Sequence, residues 1–341
     1  MRAWQVSKHG EPPDVIAMGT VPVPEPRAGE VRIRVAAAAL GLPDVFMCRG
    51  TYAFSPPLPF TPGQEVAGIV TAAGEGARTP VGARVMAVTA FFRGHGGFAE
   101  EALALDASTH TAPREMPWHE AAGFLIPFHT AWIGLVTRGR LVRGETLVVL
   151  GAAGGSGSAA IQLGKALGAR VIAVAGGKEK GLACRALGAD AVIDHAGGGV
   201  AAAVRDATGG RGADVIYDPV GGEMFDAATR CIASEGRVLA IGYASGAWHD
   251  ASTARLVDRN ASVLGVYVGA YAKPFVSEVH EKLLEHWRAG AIRATTSAPI
   301  PFEAIGAALG EIAARRATGK LVAEVREAVP EAAADAVQET T

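Results

Sequence analysis

Cysteine is scarce in this chain. Of 341 residues only Cys48, Cys184 and Cys231 are cysteines, and they lie far apart with no C-x-x-C pair. Such spacing argues against a structural zinc cluster and a disulfide framework, and it fits a reducing compartment. Long apolar runs are missing too. The longest, Phe124–Val136, is interrupted by Pro127 and His129 and is too short to span a bilayer. The opening segment, MRAWQVSKHG, lacks the apolar core of a signal peptide. There is no excess of one charge: the formal net charge is −2, with both signs mixed along the chain. Neither a nucleic-acid footprint nor a membrane-surface patch is expected. The expectation is a soluble cytoplasmic protein that binds neither.

Hydrophobic residues make up 49% of the chain, enough for a sizeable core, and the length suggests two domains. One stretch organises the rest: TLVVLGAAGGSG, Thr146–Gly157. Thr146–Leu150 reads as a buried strand. Gly151, Gly154 and Gly157 follow at three-residue spacing, with Gly155 inserted, and small and apolar residues then recur at helical spacing through Leu167. Strand, glycine turn and helix together predict a dinucleotide-binding turn. Residues without Cβ let the backbone approach a pyrophosphate, and the helix start offers it unpaired N–H groups and a positive dipole end. Gly154, Gly155, Ser156 and Gly157 are therefore candidate cofactor ligands.

Residues 1–125 read as mostly β. Val31–Ala37, Val66–Thr71 and Arg84–Thr89 are strand candidates, punctuated by many prolines and glycines as in a small barrel. Glu120–Val136 reads as one connecting helix. From Thr146 strands and helices alternate. The strand candidates are Thr146–Leu150, Arg170–Ala175, Ala191–Ile193, Ala213–Tyr217, Arg237–Ile241 and Ala261–Val268, which predict a doubly wound parallel sheet. Past Gly269 the alternation stops, giving two amphipathic helices and a last strand at Lys320–Val325. Glu327–Thr341, rich in alanine and acidic residues, is expected to fray.

The residue identities also bear on the nucleotide. A sheet that prefers NAD usually carries Asp or Glu about twenty residues past the glycine turn, to bind the ribose 2′-OH. Here Gly176 and Gly177 stand at that place, followed by Lys178 and Lys180. A carboxylate would repel a 2′-phosphate, whereas glycines leave room and lysines offer charge. NADPH is the expected cofactor.

Several motifs in order resemble the medium-chain dehydrogenase/reductase superfamily in its quinone oxidoreductase branch. They are AAGGSG at 152–157, LPFTPGQEVAGIV at 58–70, GGFAEE at 96–101, HTAWIGL at 129–135, GRVLAIGYASG at 236–246 and RRATGK at 315–320. The resemblance implies a GroES-like β-barrel catalytic domain built from residues 1–125 and 269–341, around a Rossmann domain at 126–268. It implies that Thr130 lies beside the nicotinamide, and that Val220 and the loop Ile241, Gly242, Tyr243, Ala244 and Ser245 line it. Gly177, Lys180 and His195 fall at positions that meet the 2′-phosphate, His195 where relatives often carry Tyr. Arg316 matches a basic residue near the cofactor, and Tyr52 a catalytic tyrosine that could orient a carbonyl or donate a proton. Zinc-dependent members place Cys and His where this chain has Gly41 and Gln64, and neither is a good zinc ligand. No metal is expected. Many zinc-free relatives carry Asn at Gly41.

Without a Lewis acid, hydride delivery to an already electrophilic quinone or α,β-unsaturated carbonyl is the expected chemistry. Two alternatives stay open: an enoyl- or acryloyl-thioester reductase, with Lys273 and Arg288 as basic residues at its pocket mouth, and a non-catalytic, crystallin-like NADPH-binding protein. Ala261–Val268, an apolar edge strand, together with the family's habit, implies a homodimer.

Overall fold

The computed structural model describes residues 1–325, so the tail expected to fray lies outside the described residues. The chain divides into two compact units, one formed by Met1–Leu125 with the segment from Thr296 onward, the other by Ile126–Thr295.

The first unit is a barrel. β1 (Arg2–Val6) pairs antiparallel with β2 (Ile16–Thr20), and the short α1 (Pro12–Val15) lies between them. β3 (Glu30–Leu40), β4 (Glu65–Ala73), β5 (Arg84–Thr89) and β6 (Glu101–Thr111) follow in order, and β3 also pairs with β6, which closes the circuit. Alternation explains β3. Val31, Ile33 and Val35 are fully buried, while Arg32 and Arg34 turn out to carboxylates such as Glu101. Burying each such side chain contributes about 1.5–3 kcal/mol. α2 (Leu42–Arg49) and α3 (Trp118–Ala122) belong to this unit.

The second unit holds a six-stranded parallel sheet. Its strands are β7 (Thr146–Val149), β8 (Arg170–Ala175), β9 (Ala191–Asp194), β10 (Ala213–Asp218), β11 (Ile232–Ala240) and β12 (Ser262–Gly265), in spatial order β12-β11-β10-β7-β8-β9. The helices are α4 (Leu125–Trp132), α5 (Gly155–Ala166), α6 (Lys178–Ala186), α7 (Val200–Ala207), α8 (Gly222–Arg230), α9 (Thr253–Arg259) and α10 (Lys273–Arg288). β7 runs on to β8 on one side and lies against β10 on the other. The strand order reverses there, which opens a crevice at the carboxyl ends of these strands. The chain then returns to the barrel with β13 (Ile300–Pro301), α11 (Ile305–Ala313) and β14 (Leu321–Glu324), the last pairing with β3.

Three expectations need correction. The helix expected over Glu120–Val136 is broken. α3 stops at Gly123, whose N–H turns back to His119 and Glu120. α4 restarts with Pro127 in its first turn, where a missing N–H is tolerated, and it continues into a π-helical segment, Ile133–Arg138. The strand expected over Ala261–Val268 shrinks to Ser262–Gly265. Its partner β11 ends at Ala240, opposite Gly265, and Val266 makes the last ladder bond to Ala240. The expected boundary at residue 268 moves to Thr295, because α10 and the chain after it pack within the second unit. His280 meets His129 of α4, and the Arg293 N–H donates to Gln162 of α5.

All three cysteines are free and buried. Burial pushes their thiols up, to about 12 for Cys48 and about 11 for Cys184 and Cys231.

Candidate active site

The glycine turn lies at the reversal point of the sheet. Gly154 caps α5 in an extended conformation and brings no side chain, so it leaves the first-turn N–H groups to an external acceptor. Gly157 is where the helix touches the turn. A Cβ there would lie 2.5 Å from the Gly151 carbonyl oxygen and 2.7 Å from Ala152 Cα. This cradle fits a dinucleotide pyrophosphate.

Beside it, the turn after β8 gathers three of the residues expected from sequence. A Cβ on Gly176 would lie 2.8 Å from His195 Nε2, so the imidazole lies directly on this turn. The Gly177 N–H donates to Asp194 (3.1 Å), which also accepts from Ala196 (2.9 Å). These two N–H groups hold the Asp194 carboxyl below the usual carboxylate range. Lys178 and Lys180 occupy the first turn of α6.

The loops after β10 and β11 are stitched together. Asp218, 1% exposed, accepts from the N–H groups of Val220 (2.8 Å) and Gly221 (2.9 Å). Burial pushes its carboxyl up and these two bonds oppose the shift. Ile241 N–H donates to Asp218 O, Ala244 to Pro219 O, and Ser245 to Val220 O. Val220 and the segment Ile241, Gly242, Tyr243, Ala244 and Ser245 are thereby brought together. Thr130 is half-buried on α4.

The remaining two expected residues lie in the barrel unit. Tyr52 is half-buried, its ring 5.8 Å from Phe54 and 6.2 Å from Phe91. Arg316 is exposed and held by both carboxylate oxygens of Glu311 at 2.7 Å. Lys273 and Arg288, expected to share a pocket mouth in the thioester alternative, are the first and last residues of α10. At 1.5 Å per residue they are about 22 Å apart along its axis, too far to flank one mouth.

Sequence reading missed a buried ionic cluster at the positions where a metal was considered. Asp44 accepts from the N–H groups of Gly41 (2.8 Å) and Gly63 (3.0 Å). Burial pushes its carboxyl up to about 6, opposed by the Gly41 bond, the Lys320 charge and the Gly63 bond. Lys320 Nζ lies 2.9 Å from Glu65 Oε2, and it would lie 3.7 Å from a Cβ on Gly41. An ammonium therefore stands beside the place from which a ligating side chain would extend. With Gly41, Gln64 and this fixed cation, the set does not fit zinc. Among the described residues no group of three or more His, Cys, Asp or Glu is placed to hold a metal ion.

Comparison with known proteins places this geometry. Residues 27–114 match the alcohol dehydrogenase GroES-like domain and residues 155–285 the zinc-binding dehydrogenase domain. A quinone oxidoreductase-like protein 2 homolog of Nematostella vectensis is 33% identical over 304 residues, 87% of this chain and 82% of that protein. The chain belongs to the medium-chain dehydrogenase/reductase superfamily, in its quinone oxidoreductase branch. Solved superfamily structures share its fold along nearly the whole length. A mycobacterial protein complexed with NADPH is 28% identical, covering 95% of this chain and all (100%) of its own, with a TM-score of 0.87. An NAD-dependent alcohol dehydrogenase is 30% identical, covering 96% and 100%, with a TM-score of 0.85. The chain is thus an NAD(P)-dependent oxidoreductase of this superfamily, with a GroES-like barrel and a Rossmann-type parallel sheet. Among the described residues no helix is long and apolar enough to cross a membrane.

Proposed function

We infer that this protein is a cytoplasmic, NADPH-dependent, zinc-independent reductase that delivers hydride to quinones or α,β-unsaturated carbonyls. The observation that carries the reading is the turn after β8. Gly176 and Gly177 bring no acidic side chain, His195 lies against Gly176, and Lys178 and Lys180 open α6. The Asp194 carboxylate beside the turn is taken up by the Gly177 and Ala196 N–H groups. Bound NADPH would supply the hydride. The first turn of α5, with Gly154, Gly155, Ser156 and Gly157, holds the pyrophosphate. Gly177, Lys180 and His195 meet the 2′-phosphate. Thr130, Val220 and Ile241–Ser245 line the nicotinamide end, Arg316 adds charge near the cofactor, and Tyr52 orients the substrate carbonyl.

NADPH should bind at least about tenfold more tightly than NADH. Lys180→Ala should weaken NADPH by about tenfold or more, the worth of one charge-assisted hydrogen bond, and leave NADH nearly unchanged. Fluorescence or calorimetric titration decides it, and equal affinities in the wild type would overturn the NADPH assignment. NADPH consumption against a panel of quinones, enones and enoyl-thioesters then identifies the acceptor.

Activity should survive prolonged EDTA treatment, with substoichiometric zinc by metal analysis. The reason is the Lys320 ammonium 2.9 Å from Glu65, beside Gly41. Stoichiometric zinc whose removal abolishes turnover would contradict this.

The protein is further proposed to be a homodimer, two copies of β12 pairing across a twofold axis. β12 ends the sheet, joined on one side to β11. Val266 N–H donates to Ala240, so backbone alternation points the Val263 N–H outward. Light scattering should show a dimer for the wild type and a monomer for Val263→Pro. A monomeric wild type at micromolar concentration rules the arrangement out.

A further inference from the structure

Tyr217 is fully buried on β10, yet its hydroxyl reaches the glycine turn: it lies 2.7 Å from Ser156 Oγ. The ring packs against the helical segment that follows Thr130. A Cβ on Gly134 would be 3.2 Å from Tyr217 Cε2, so the ring is held in place. Burial pushes the phenol well above its ordinary range, with the Ser156 bond opposing. The phenol therefore keeps its proton at working pH. A buried O–H requires an acceptor, and Ser156 Oγ supplies it. Once Tyr217 donates, the serine proton is free to point elsewhere. Ser156 is half-buried at the second residue of α5, where first-turn N–H groups collect. Left alone, a serine there could turn its hydroxyl to neighbouring backbone carbonyls.

We propose that Tyr217 and Ser156 form a two-hydroxyl relay, in which Tyr217 O–H donates to Ser156 Oγ and directs the serine proton to a phosphate oxygen of the bound dinucleotide. Tyr217 is a positioning residue, acting through Ser156. Polarisation along the chain strengthens the serine as a donor. The inference rests on the reading of the glycine turn as a dinucleotide cradle. Because NADPH and NADH share the pyrophosphate, the relay must serve both equally, unlike Lys180.

The test is a double-mutant cycle on nucleotide affinity with Tyr217→Phe, Ser156→Ala and the pair, titrated with NADPH and NADH, together with melting of each ligand-free protein. Ser156→Ala should weaken both nucleotides about tenfold and Tyr217→Phe several-fold. The double variant should be no weaker than Ser156→Ala alone. Effects that multiply would overturn the relay. So would a Tyr217→Phe protein that melts lower but binds both nucleotides as the wild type does. Should Tyr217→Phe not fold, unchanged affinity in Ser156→Ala overturns it alone. A wild type that binds neither nucleotide defeats the cradle reading and the relay with it.

Discussion

Lys320→Met should destabilise the barrel unit by about 3–5 kcal/mol at neutral pH. The Glu65 side chain is 1% exposed, and Lys320 lies 2.9 Å from its carboxylate. Removing the ammonium takes away a positive charge 2.9 Å from that buried carboxylate. It also removes a positive charge that holds Asp44 down. Denaturant unfolding at two pH values checks both effects. The loss should be smaller at pH 5 than at pH 7.5, because Asp44, whose carboxyl is pushed up to about 6, is mostly protonated at pH 5 and then gains nothing from the ammonium. In the wild type the sign for Asp44 is equally defined. Its folded value, about 6, lies above the ordinary one, so the folded state holds the proton more tightly. The contribution to stability is full below the ordinary carboxylate range and is lost as pH rises through about 6. Lys320→Met/Glu65→Gln should recover part of the loss. A single variant within about 1 kcal/mol of wild type would show that the pair is no better than an exposed one.

Gly157→Ala should weaken nucleotide binding on the order of a hundredfold, the scale of effect an ångström misplacement can have. It should also cost about 1–3 kcal/mol of stability from overpacking. The added Cβ meets the Gly151 carbonyl and Ala152 backbone atoms, none of which can swing aside as a side chain would, so α5 must back away from the turn. Gly154→Ala is the internal control for stability. Its Cβ meets only the Gly151 oxygen, at 3.4 Å, so its folded state should be nearly unaffected. Calorimetry and melting curves separate the two. A Gly157→Ala protein that binds NADPH like the wild type would show that the helix start does not carry the phosphate.

Legibility in the sequence followed locality. The alternation in VRIRV and the strand–glycine–helix order of Thr146–Leu167 each declare themselves within one window, and both elements form. β6 escaped notice because EALALDASTHT is rich in Ala and polar residues; it is a strand because β3 and β5 pair with it on either side. α2 carried overlooked signals: Pro43 in its first turn and Gly50, left-handed, at its end. Those expected nucleotide residues that lie in the turns after β7, β8, β10 and β11 sit in motifs of their own, and the sheet topology brings these turns together; Thr130 lies on α4 and Arg316 in the barrel unit. Asp44, Glu65 and Lys320 come from opposite ends of the chain, and no window contains the pairing. Tyr217 read as the apolar end of a strand. Only the structure shows that its tip reaches a serine.

The buried thiols bear on what such a protein can survive. Quinones and enones are Michael acceptors, and a thiolate is the side chain they alkylate most readily. Cys48, Cys184 and Cys231 are all enclosed, with values near 11 or 12, so at neutral pH almost none of their sulfur is ionised and none lies open to a reagent in solution. A chain built this way offers no reactive thiolate to such an electrophile, so under the proposed function its cysteines escape alkylation by the acceptor.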